Sequence, residues 1–190
     1  MPFIGLIIRG KYSEAHEPDL MAQHADVILS TGAPNGFFGE GEPLSGVPGM
    51  LMEGRVYDYA EMAVQRPYYV FKEEAKRRGV VSTYCSLHVS TEKAKRFDAF
   101  WSELHRRALG KKENFTLIGD NCSTHASEGF VAAGILDVSI PGLDTPDNLF
   151  KQLKTRYGGS FRCQSGYIGV ERNGMRFNLT VDRLPQRGAN

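Results

Sequence analysis

Cysteine is scarce in this chain, with three in 190 residues, and none forms a CxxC pair or a Cys/His cluster at zinc spacing. That excludes a disulfide-scaffolded miniprotein and argues against a structural zinc site, both of which need denser sets. Charge of one sign is missing too: the formal net charge is +1. No broad electropositive field exists to bind nucleic acid or an anionic membrane generically. Long apolar runs are also lacking. Phe3-Ile-Gly-Leu-Ile-Ile8 has no basic residue before it and meets Arg9 at once, too short for a signal core or a membrane span. We read it as a buried strand, so action outside the producing cell would need a route other than a standard signal peptide, or a signal already removed from the sequence. No internal repeat, low-complexity tract or GKS/T phosphate cradle is visible.

What is present describes an ordinary globule: 41% hydrophobic and 24% charged residues, in a length that supports a real core. The pattern is α+β. Strands are expected at about 3–9 and 24–30, followed by a Gly/Pro-rich stretch from Gly32 to Gly54 read as loop and short strand. A short helix is expected over Tyr57–Gln65. Tyr68–Phe71 fits either an edge strand or a helix entry. Val80–Val89, rich in β-branched residues, reads as a strand. Ser90 or Thr91 should cap a helix whose apolar stripe is Ala94, Phe97, Phe100, Trp101, Leu104 and Ala108, with lysines and arginines on its wet side. Thr145-Pro146 reads as an N-cap with proline at the first helical position, opening a helix to Thr155. Phe161–Val170 and Met175–Val181 alternate and are joined by Glu171-Arg-Asn-Gly174, a hairpin signal.

The chemistry concentrates at Gly119-Asp120-Asn121-Cys122-Ser123-Thr124-His125-Ala126. Phe115-Thr-Leu-Ile118 reads as a short strand, and Ala126, Gly129, Phe130 and Ala133 fall at helical spacing up to a Gly134 C-cap. Cys122 then lies in the first helical turn, where unpaired N–H groups and the helix dipole favour its thiolate, the nucleophilic form. The competing reading is a cysteine that simply packs. Asn121 and Asp120 are good N-cap residues in either case.

The residues Asn121-Cys122-Ser-Thr-x-Ala, the small apolar helix that follows, and Asp144-Thr-Pro-Asp-Asn-Leu-Phe150 resemble the cysteine half of the circularly permuted papain-like hydrolases. That superfamily includes NlpC-type cell-wall endopeptidases, lecithin:retinol acyltransferase-like enzymes and several bacterial toxins. Its permuted order puts the histidine before the cysteine, and here His24 opens His24-Ala-Asp-Val-Ile-Leu-Ser30, followed by Thr31-Gly-Ala-Pro-Asn-Gly36 and Phe37-Phe-Gly-Glu-Gly41.

The resemblance implies an antiparallel sheet packed against helices, with the hydrolase domain at 1–158; it says little about 159–190, which the hairpin signal makes a C-terminal extension of the same domain that completes the sheet or covers an edge. It implies Cys122 as nucleophile and His24 as base, with His125 second, His88 third, and His16 and His105 as loop and helix-surface residues. The family's third group varies in type on the strand after the histidine. Glu40 is the choice here, with Asn35, Glu42 and Asp26 as alternatives. The oxyanion site would come from backbone N–H groups around Cys122, with Asn121 and Ser123 as positioning residues.

The implied activity is amide hydrolysis through a thioester, on peptidoglycan, by an antibacterial effector delivered by a dedicated secretion machine and blocked by a cognate immunity protein. No metal or cofactor is called for, nor is nucleic acid or stable membrane insertion. Deamidation, proteolysis, lipid acyl transfer and an inactive binding module remain alternatives. For Cys85 and Cys163 we expect separate buried thiols, with one bridge as the alternative.

Overall fold

A computed structural model describes residues 1–19, 23–41, 51–116, 119–138 and 145–184. The chain is a mixed α+β fold around one antiparallel sheet of eight strands in the order β6-β4-β3-β2-β1-β5-β7-β8. The strands are β1 (Phe3–Arg9), β2 (His24–Ile28), β3 (Pro34–Glu40), β4 (Met52–Tyr57), β5 (Ser82–His88), β6 (Asn114–Phe115), β7 (Arg162–Asn173) and β8 (Arg176–Arg183). The helices are α1 (Tyr59–Gln65), α2 (Lys72–Arg78), α3 (Thr91–Leu109), α4 (Cys122–Ala132) and α5 (Pro146–Tyr157).

β1 lies at the centre and is buried along nearly its whole length, as its unbroken apolar run requires. Its alternate residues serve two cores. Ile4, Leu6 and Ile8 pack with Phe97, Trp101 and Leu104 of α3, Phe130 of α4, and Leu149 and Leu153 of α5. Ile7, on the opposite face, packs with Ile28, Phe38, Met62, Val70, Ile168 and Val170. This period-2 division lets one strand support both layers.

The helix starts follow local chemistry. Ser90 caps α3 by accepting from the Lys93 N–H, and Thr145 caps α5 ahead of Pro146. Asp58 and Glu61 form a reciprocal capping box on α1, so the helix begins at Tyr59 rather than Tyr57. Residues 67–69 form a single 3₁₀ turn, and the charged segment after it is α2, which ends where Gly79 takes a left-handed conformation at φ 68°.

β7 and β8 run longer than their alternation suggested, leaving only Gly174-Met175 between the paired residues Asn173 and Arg176. The hairpin joins the sheet through β5, and its far end folds back over the second core. There the Val170 N–H donates to the Val70 carbonyl at 2.8 Å, and the Phe177 N–H to that of Thr31 at 2.9 Å. Gly32 permits this approach, since a Cβ there would lie 2.2 Å from the Phe177 oxygen.

The β5–β7 register sets Cys85 opposite Cys163, and the two form a disulfide. This replaces the separate thiols expected from sequence: an antiparallel pairing between residues 78 apart is invisible until the strand order is known. Cys122 is left as the free cysteine.

Candidate functional site

The site lies where β1 ends, β2 begins and α4 starts. Asn121 has an extended backbone and its side-chain oxygen accepts from the Ser123 and Thr124 N–H groups, at 3.0 Å each. This fixes the first turn of α4 and places Cys122 as its first residue. Ser123 also donates its hydroxyl to Asn121 Oδ1 at 2.7 Å, so both residues serve the cap. α4 packs its first turn against β2, and the Ala25 N–H reaches Cys122 Sγ at 3.5 Å.

His24, the first residue of β2, projects to the same side as Asp26, two residues on. Its Nε2 lies 2.9 Å from Asp26 Oδ1. The ring stacks on Phe38 at 4.2 Å and on Tyr69 at 5.9 Å between centroids. Asp26 is fully buried and its other oxygen, Oδ2, accepts from Arg9 Nε at 2.7 Å. Arg9, cross-strand partner of His24, is itself buried, gives a second hydrogen bond to the Tyr69 carbonyl at 3.0 Å, and lies 4.3 Å above the Tyr69 ring. The space for the Asp26 carboxylate comes from Gly36 on β3, where a Cβ would sit 2.2 Å from Oδ1.

Charge alternates along this chain of groups, and their protonation follows. Burial works against ionising Cys122, but the charge and hydrogen bond of His24, helped by the Ala25 N–H, hold the thiol below its usual value. Burial likewise works against a charged His24. The negative charge of Cys122, then that of Asp26, with hydrogen bonds to both, raise it to about 10. Asp26 resists the upward push of burial because Arg9 first, and His24 second, stabilise its carboxylate. The shifts all run toward thiolate, imidazolium and carboxylate, which with the guanidinium of Arg9 make a set with no net charge. With Nε2 engaged by Asp26, Nδ1 is the ring nitrogen left to exchange a proton with the thiol.

The structure thus brings Cys122 and His24 together and supplies Asp26, not Glu40, as the carboxylate on the imidazole. Glu40, at the far end of β3, accepts from the Tyr57 hydroxyl and lies 3.6 Å from Arg55 Nε. Asn35 is buried and lines a cavity with Leu29, Trp101, His105 and Phe177. Glu42 falls outside the described residues, as do residues 117 and 118 of the expected strand before Cys122.

Among the other histidines, His125 sits in the first turn of α4 but bonds Glu128 at 3.0 Å and packs edge-on against Phe37 at 4.1 Å. His16 takes the Tyr12 N–H, and His88 packs against Phe3. Arg9, Tyr69 and Gly36 were not expected from sequence. Asp26 carried a usable signal, since strand residues at i and i+2 share a face.

No family model matches the chain, and no curated protein matches it. Among solved structures, the crystal structure of the type VI secretion system effector TseH superposes with a TM-score of 0.56, at 12% sequence identity, covering 94% of this chain and 97% of that one. The two chains share a fold. At that identity the likeness speaks for architecture across nearly the whole length of both molecules.

Proposed function

We propose that this protein is a cysteine hydrolase of the permuted papain-like type that cleaves an amide bond through a thioester, with peptidoglycan as substrate and antibacterial delivery as its biological setting. The observation that carries the reading is the Cys122–His24–Asp26 constellation: a thiol at a helix start, an imidazole coupled to it, and a buried carboxylate orienting the imidazole. The shared fold with a type VI effector supports the setting. The Cys85–Cys163 bridge fits an oxidising site of action.

In this reading the Cys122 thiolate attacks the amide carbon, forming the S–C bond. The charge moving to the carbonyl oxygen meets the Cys122 N–H, because Asn121 already occupies the next two donors of α4. Imidazolium at His24 gives its Nδ1 proton to the departing nitrogen as the C–N bond breaks. Water then attacks the thioester, His24 takes the water's proton, and the S–C bond breaks to release the acid and restore thiolate and imidazolium. Asp26 stays ionised throughout and holds the ring.

The test is incubation of wild type, Cys122→Ala and His24→Ala with peptidoglycan sacculi, followed by mass spectrometry of released fragments. Amide-cleavage fragments from wild type alone support the reading and name the bond. A wild type that releases nothing and whose Cys122 resists iodoacetamide at neutral pH overturns it in favour of a binding module. No release with a reactive Cys122 removes the peptidoglycan substrate and points to protein or lipid.

A further inference from the structure

We propose that Arg9 is a positioning residue for the thiol–imidazole pair, acting solely through the Asp26 carboxylate. The proposal rests on the cysteine-hydrolase reading above. Arg9 bonds Asp26 Oδ2 while His24 bonds Oδ1, so one carboxylate is shared between a fixed cation and the base it orients.

Three features make Arg9 more than a counter-ion. The β1–β2 register pairs it directly with His24, so its distance along the sheet is set by backbone hydrogen bonds. Its guanidinium is pinned from the other side by the Tyr69 carbonyl and ring, and the same ring stacks on His24. Its Nε–H meets a carboxylate whose Oδ1 occupies the space that a side chain on the neighbouring β3 residue, Gly36, would fill.

The consequence is chemical. A buried aspartate facing only a histidine is free to take up a proton, and a neutral carboxyl holds imidazolium weakly. The groups facing Asp26 are Arg9 from β1, His24 on its own strand, Cys122 from the start of α4 and Tyr69 from the 3₁₀ turn. β3 contributes Gly36 there and no charge. Arg9 is the permanent cation among them. It keeps Asp26 ionised under acidic conditions in which His24 alone would not.

The experiment reads the rate of Cys122 alkylation by iodoacetamide against pH in the oxidised full-length protein, where Cys85 and Cys163 are bridged. Wild type, Arg9→Lys, Arg9→Met, Asp26→Asn and the Arg9→Met/Asp26→Asn double variant are compared, each checked for fold by circular dichroism. Arg9→Met should move the midpoint of thiolate formation upward by about one pH unit, roughly a tenfold loss of rate below it. Arg9→Lys should recover part of that shift.

In the Asp26→Asn background, Arg9→Met should raise the midpoint no further, because the route by which Arg9 supports the thiolate runs through the missing carboxylate. If Arg9→Met fails to fold, Arg9→Lys and the double variant carry the comparison, the latter having no unpaired buried charge. An unshifted midpoint in a folded Arg9 variant overturns the proposal, and so does a shift of equal size with Asp26 absent. An ordinary thiol profile in wild type itself would instead overturn the hydrolase reading, which keeps the two failures apart.

Discussion

Arg9 and Lys11 stand two residues apart at the end of β1, and both end in buried ion pairs, yet they serve different ends. Arg9 leads through Asp26 to His24 and Cys122. Lys11, also fully buried, bonds Asp147 at 2.7 Å, contacts the His16 carbonyl, and lies 4.5 Å from the centre of the Phe150 ring. Asp147 is the second residue of α5 and also takes Lys151 at 3.0 Å. The second network therefore ties a helix start to the chain just past a strand end and runs out through Lys151 to the exposed Glu17. A buried charge is costly wherever it occurs and must be paired. The comparison teaches that burial and pairing do not mark a functional site by themselves. What sets the first network apart is that its chain of pairs terminates on a free thiol.

Cutting each network at one residue separates the two roles most sharply. Asp26→Asn leaves Arg9 buried without its anion and should cost about 3–5 kcal/mol of stability, while raising the pH at which Cys122 becomes reactive. Lys11→Met leaves Asp147 with Lys151 as partner and should cost less, about 1–3 kcal/mol, with the Cys122 profile unmoved. Urea denaturation gives the first quantity and iodoacetamide kinetics the second. A Lys11→Met variant that shifted the thiol profile would erase the distinction.

A smaller intrusion should act on the first network alone. Gly36→Ala puts a methyl group 2.2 Å from Asp26 Oδ1 and 2.8 Å from the Phe38 ring, so the carboxylate must move. The expected cost is about 1–3 kcal/mol, with slower Cys122 alkylation at neutral pH. Unchanged alkylation in a folded Gly36→Ala protein would show that the Asp26–His24 contact does not set thiol reactivity.

The first network also makes stability depend on pH through His24 and Cys122. His24 holds its proton to about 10 in the folded state, against 6.5 for the free side chain, so between those values the folded state binds more protons and stability falls as pH rises. Cys122 is held below its ordinary 9.0. From that lowered value up to 9.0 the folded state binds fewer protons, and stability rises with pH. The two slopes oppose each other where these ranges overlap, up to pH 9.0. The stability that the pair contributes, read as the melting-temperature difference between wild type and Cys122→Ser, should be level across that overlap and fall above pH 9.0 as the imidazolium is lost. A difference that changes steadily through the overlap would mean that the shift of one group is not matched by that of the other.

Sequence was legible where the physics is local. Caps at Asn121, Ser90 and Thr145, the α3 stripe and the C-terminal hairpin follow from residue types at short spacing, and they placed Cys122 at its helix start correctly. His24 was found through resemblance and order. The parts that escaped are those made by pairing between distant strands. Cys85 meets Cys163 because β5 lies beside β7, and Arg9 meets Asp26 because β1 lies beside β2. Asp26 could have been ranked first on spacing alone, since a return strand must align in register to deliver a carboxylate, whereas position i+2 on the histidine's own strand delivers it without any pairing.

Glu40 supplies the smallest expected effect and a direct check on that last point. It lies at the partly exposed end of β3, taken up by the Tyr57 hydroxyl and near Arg55, which Glu53 also engages at 2.7 Å. Removing its charge leaves Arg55 paired and the His24–Asp26 contact untouched. Glu40→Gln should therefore change stability by no more than about 0.5 kcal/mol and leave both the Cys122 alkylation profile and fragment release from sacculi at wild-type levels. Tyr57 offers an internal control on the same variant. Burial and then the hydrogen bond to Glu40 hold its hydroxyl well above the ordinary tyrosine value, so a spectrophotometric titration should show a tyrosine ionising earlier in Glu40→Gln. That shift, seen beside an unaltered thiol, would place Glu40 in a local pair of its own; a slowed Cys122 would return it to the catalytic set and make Asp26 the structural residue.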